Sequence, residues 1–167
     1  MVRECVALSM LAAVCPGCSL ILDFDTALPA DAAIDAVYTK TECDYLEPND
    51  SITGAVDVTA ADHGPAAICM PASGAAEDHD YYRFIATGAT VTISIVFTGR
   101  PGGDLDLKLY SGDGTMVGQS RGFGDNEMLV CPGAAPLCPM LTAGPHVIEV
   151  MPGVAGSVNN YSFTISQ

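Results

Sequence analysis

The sequence predicts an all-β fold, an antiparallel β-sandwich of about eight strands, on three observations. Apolar residues recur at every second position in several short runs. Glycine-rich turn sequences separate those runs. No segment carries the sustained 3.6-residue apolar repeat of a long helix, and the runs themselves are rich in valine and threonine.

The first run is the short apolar "AAICM" (66–70), which stops at a turn cluster. "DYYRFIAT" (80–87) is dense in aromatic and β-branched residues, with Tyr82 and Phe84 expected inward and Tyr81 outward. "ATVTISIVF" (89–97) alternates strictly. Val91, Ile93, Ile95 and Phe97 fall on one face and Thr90, Thr92, Ser94 and Val96 on the other, the pattern of a half-buried strand. "GRPGG" (99–103) breaks the run. "DLDLKLY" (104–110) sets Leu105, Leu107 and Leu109 inward and Asp104, Asp106 and Lys108 on what reads as a solvated face. "SGDGT" (111–115) is a hairpin turn, because Asp-Gly supplies the backbone angles a tight loop needs, and "MVGQS" returns from it. "NEMLV" (126–130) leads into a loop between two cysteines. "HVIEVM" (146–151) and "YSFTIS" (161–166) follow, the last burying Tyr161, Phe163 and Ile165.

Six basic against twenty acidic side chains give a formal charge of -14. Phosphate recognition needs clustered Lys and Arg, so no nucleic-acid partner is expected. Such a chain attracts cations instead. An apolar content of 49%, arranged periodically, favours a packed core over disorder.

Residues 1–17 read as a signal peptide, with Arg3 followed by the apolar "VALSMLAAV", which is too short to span a bilayer. "VCPGCSLILDF" resembles a bacterial lipoprotein processing site. Gly17 precedes Cys18 and Ser19 follows it, so Cys18 is the expected lipidated residue, with Cys15 as its competitor. Residues 18–42 mix polarities without strand alternation and read as a tether, and 43–167 as the folded domain. Cys43, Cys69, Cys131 and Cys138 remain. An even number in an exported chain points to disulfides, for which three connectivities exist. Cys131 and Cys138 bracket "PGAAPL", a loop that closes locally, and pairing them leaves Cys43 with Cys69. Zinc is the rival reading, but the spacings match no common zinc pattern.

The motifs "EPNDS", "DHDYYRF", "ATVTISIVF", "GDLDLKLYSGDGT", "GDNEMLV", "AGPHVIEVMPGVAG" and "NNYSFTIS" occur in an order that resembles the bacterial pre-peptidase C-terminal domain, a family related to the collagen-binding domains of clostridial collagenases. The resemblance covers 46–167 and implies a jelly-roll-like β-sandwich, secreted or displayed at the cell surface. It also implies a Ca²⁺ site in some members, with Glu47, Asn49 and Asp50 matching one group of ligands and Asp78 and Asp80 the other. Glu77 and His79 stand where the family has a glycine and an apolar residue, and Tyr45 where calcium-binding relatives have an acid. The chemistry is consistent, since Ca²⁺ takes six to eight oxygens from carboxylates and carbonyls. The alternative is an ordinary turn opened by Asp50 and Ser51 with solvated acids.

No nucleophile, base and orienting group fall together, so no enzyme is expected. The glycines of "GDGT" and "GFGDN" do not open a helix after a strand, so they cradle no phosphate. His63 sits in the polar stretch "AADHGP", His146 is expected at the sandwich rim, and only His79 lies near carboxylates. The tyrosines are expected to pack in the core or at its rim, with nothing in the sequence to place Tyr81 and Tyr110 on one face. The sequence therefore points to a non-catalytic, lipid-anchored binding or adhesion module of the cell envelope, at the outer membrane or cell surface. The expected partner is an extracellular protein or polysaccharide, with membrane contact through the lipid alone. The alternatives are an accessory or chaperone-like factor acting in trans on a secreted peptidase and a structural envelope component.

Overall fold

The computed structural model describes residues 44–71, 73–97, 103–134 and 136–167. The expected signal peptide (1–17) and tether (18–42), with Cys15, Cys18 and Cys43, lie outside the described residues.

A 3₁₀ turn at Ile52–Gly54 precedes β1 (Val56–Asp57), β2 (Asp62–Ile68), β3 (Asp80–Ala86), β4 (Val91–Phe97), β5 (Leu105–Ser111), β6 (Met116–Ser120), β7 (Asn126–Cys131), β8 (Gly133–Ala134), β9 (Leu137–Cys138), β10 (Gly144–Pro152) and β11 (Asn159–Ser166). All eight runs read from the sequence are strands. The additional pieces β1, β8 and β9 are two residues each, too short to show a periodicity.

The strands form a five-stranded sheet in the order β1-β3-β10-β5-β6 and a four-stranded sheet in the order β2-β11-β4-β7, with β8 and β9 as a small separate hairpin. Apart from the parallel β1–β3 contact, the pairings are antiparallel. Neighbours in the sheets are remote in sequence. β10 sits between β3 and β5, and β11 between β2 and β4. The last two strands thus enter the middle of sheets whose other members come earlier in the chain.

The core lies between the two sheets. Val91, Ile93, Ile95 and Phe97 of β4 are buried, as are Leu105, Leu107 and Leu109 of β5 and Tyr161, Phe163 and Ile165 of β11. Tyr82 and Phe163 stack across the gap with ring centroids 4.4 Å apart. Aromatic pairs of this kind add to the area they bury, on the order of 1 kcal/mol.

Two expectations about exposure are corrected. Asp106 is only 2% exposed, because Arg121 Nε donates to its carboxylate at 2.7 Å and Gly153 packs beside it, whereas Lys108 and Tyr110 on the same face are half-buried. His63 belongs to β2 and stacks on Phe163 at 4.7 Å; pairing with β11 draws the polar stretch around it into a strand. His146 is buried against Phe84, at the place where the rim was expected. Cys131 and Cys138 form the local disulfide, which closes the loop that carries β8 and β9. Cys69 is disulfide-bonded as well, and its expected partner Cys43 lies outside the described residues.

Candidate functional site

The segment ahead of the 3₁₀ turn is held largely by side-chain hydrogen bonds. Asp44 accepts hydrogen bonds from Leu46 N and from Ala67 N of β2, each at 2.7 Å. Glu47 Oε2 accepts from Asn49 N at 2.9 Å, and the Asn49 carbonyl accepts from Tyr81 N of β3 at 3.0 Å. Ser51 caps the 3₁₀ turn by accepting from Gly54 N at 3.1 Å. "EPNDS" is thereby pinned to β2 and β3.

This pinning brings the two acidic stretches together. Glu47, Asp50 and Asp78 each offer a carboxylate oxygen, and these oxygens lie within 4.8 Å of one another. Asp78 is fully buried, and its Oδ2 accepts from Cys69 N at 2.6 Å. Asn49 and Asp80, both fully buried, form the layer beneath. With its amide turned to suit its neighbours, Asn49 donates to Glu47 Oε2 at 3.0 Å and to Asp80 Oδ1 at 3.1 Å. In that orientation it bridges carboxylates as a donor.

Below Asp80, Tyr161 of β11 donates to Asp80 Oδ2 at 2.5 Å, and the hydroxyls of Tyr161 and Tyr82 are 2.6 Å apart. A polar thread thus runs from the acidic cluster into the space between the sheets. Burial pushes the Asp80 carboxyl up to about 8, with the charges of Asp78, Asp44 and Glu47 adding to the rise and the Tyr161 hydrogen bond opposing it. The cluster thus gathers several carboxylates in a small, largely buried space. Its donor set contains no His or Cys, so its chemistry suits a hard, oxygen-seeking cation over zinc or copper.

A second polar assembly occupies the outer face of the five-stranded sheet. Glu149 of β10 is buried and opposes Tyr81 of β3 and Lys108 of β5 in register. Its Oε1 accepts from His79 Nδ1 at 2.7 Å and from Tyr81 OH at 3.0 Å. Its Oε2 accepts from Tyr110 OH at 2.5 Å and from Lys108 Nζ at 3.2 Å. Burial alone would raise this carboxyl. The hydrogen bonds from His79 and Tyr110 and the charge of Lys108 outweigh it and hold Glu149 at about 2. Burial and the same carboxylate push the Tyr81 and Tyr110 hydroxyls up.

Tyr81 and Tyr110 therefore do share a face, joined through Glu149. A glutamate in the middle of the apolar "HVIEVM" was the available signal, but its partners come from two other strands. His79, which the sequence places beside the acidic cluster, turns to Glu149 instead. Tyr161 was expected as a core residue; its hydroxyl role under Asp80 went unforeseen.

No family model and no curated protein matches this sequence. Among solved structures, the chain is similar to the pre-peptidase C-terminal domain of collagenase from Bacillus anthracis, with 10% identity, coverage of 67% of this chain and 94% of that chain, and a TM-score of 0.48.

Proposed function

We propose that the sandwich is a non-catalytic binding module whose N-terminal segment is clipped to the core by a Ca²⁺ ion. The observation that carries the cation is the convergence of Glu47, Asp50 and Asp78 within 4.8 Å. Asp80 and Asn49 act behind them as positioning groups, and nearby backbone carbonyls supply further oxygens. A divalent ion would offset the mutual repulsion of these carboxylates, and would tie "EPNDS" to the start of β3. In this reading lipid on Cys18 anchors the module at the outer membrane or cell surface, where it meets an extracellular protein or polysaccharide.

Calorimetry of the full oxidised chain tests the cation. Binding to the folded state alone raises the melting temperature, and free Ca²⁺ at a hundredfold excess over Kd adds about 2.7 kcal/mol. Glu47→Gln with Asp50→Asn should abolish the shift. An unchanged melting temperature in millimolar Ca²⁺ removes the cation from the proposal. Mass spectrometry of the membrane fraction tests the lipid separately.

A further inference from the structure

β6 is an edge strand, paired with β5 on one side and with no strand on the other among the described residues. An unpaired edge is a template for another strand, and proteins blunt such edges with charge, proline or a cover. Met116–Ser120 contains neither a charged residue nor a proline. The disulfide-closed β8–β9 hairpin stands beside this edge without pairing to it. Cys138, at the end of the hairpin, packs against the inward face of β6, where a Cβ added at Gly118 would come within 3.1 Å of its Sγ. Between edge and hairpin runs a groove of about 310 Å³ lined by Met116, Val117, Gly118, Gln119, Pro136 and Leu137. Met116 is 50% exposed and Leu137 76%, so apolar side chains border the groove and remain open to solvent.

We infer that this groove takes an extended peptide segment of a partner protein, with uncharged side chains along its length and basic residues at its ends, added to β6 as a further strand. Backbone pairing would supply the affinity, and Met116 and Leu137 would grip alternate side chains. The wall formed by the hairpin favours a narrow occupant over the broad edge of a second sandwich. Two chains that each carry a charge of -14 also repel one another. The same charge, with exposed Asp113 in the turn just before β6, favours basic flanks. This inference builds on the binding-module reading and is independent of its cation.

Hydrogen–deuterium exchange of the full oxidised chain tests it. The probe is a synthetic peptide of alternating valine and threonine with lysine at both ends. The expected result is slowed exchange over 116–120. Binding should weaken by about tenfold or more when the lysines become glutamates, or in the surface variants Met116→Lys and Leu137→Lys. Unchanged exchange over 116–120 in millimolar peptide would overturn the assignment. So would a homodimer, seen by sedimentation, that Met116→Lys dissolves, since the groove would then belong to a second copy. Mass spectrometry of the same samples reads peptide cleavage. Cleavage would sink the non-catalytic reading, while the exchange data would still decide the groove.

Discussion

Glu149 shows how a single buried charge is made stable. An isolated carboxylate at 2% exposure would be costly, yet here each of its oxygens receives two donors. Because its folded-state value of about 2 lies below the ordinary 4.5, its contribution to stability is fully present above pH 4.5 and is lost as pH falls through 2. Glu149→Gln should cost on the order of 2 kcal/mol at neutral pH. The difference from the wild type should shrink toward zero near pH 2, as read by urea unfolding across a pH series. A constant difference over that range would show that the charge is not what stabilises the network.

At the scale of elements, β2 depends on a single glycine. Gly64 has φ +149°, and an added Cβ would lie 2.8 Å from Ser162 Cβ, where the β2–β11 register shifts between Tyr161 and Phe163. Only a residue without a side chain fits so close to the neighbouring backbone at that angle. Gly64→Ala should destabilise by about 2 kcal/mol. Native-state hydrogen exchange should show β2 amides opening first, ahead of those of β3 and β10. Uniform loosening of all strands would contradict this local account. The long strands were legible because strict alternation of apolar and polar residues survives in them. The reach of β2 back to Asp62 was not, because "DHGP" carries turn residues and becomes a strand only by pairing with β11. Asp106 misled for a related reason. Alternation gives the face of a residue, and what covers that face is decided by other parts of the chain.

Over the whole molecule, the charge is strongly one-sided. Arg83, Lys108 and Arg121 are the only Lys or Arg among the described residues, and each pairs with a carboxylate on the same sheet or beside it. Acidic side chains far outnumber basic ones, so repulsion between like charges is a net cost to the folded state. In chelator, raising NaCl from about 10 mM to about 0.5 M should therefore raise the melting temperature, as the screening length shrinks well below the spacing of the acids. A fall in melting temperature would mean that the three ion pairs outweigh the repulsion.

By itself the sequence determined the β-sandwich class, the eight long strands, the inward faces of β3, β4, β5 and β11 and the local Cys131–Cys138 bridge. These rest on local quantities, namely period-two hydrophobicity, turn chemistry and a short loop. The carboxylates of "EPNDS" and "EDHD" were legible as a set of donors, but which of them meet was decided by the pinning of Asp44 and Asn49 to β2 and β3. The Glu149 assembly, the hydroxyls beneath Asp80 and the groove along β6 were decided by tertiary structure alone. Each is built from strands far apart in the chain, and sheet order is a long-range choice that no local pattern encodes.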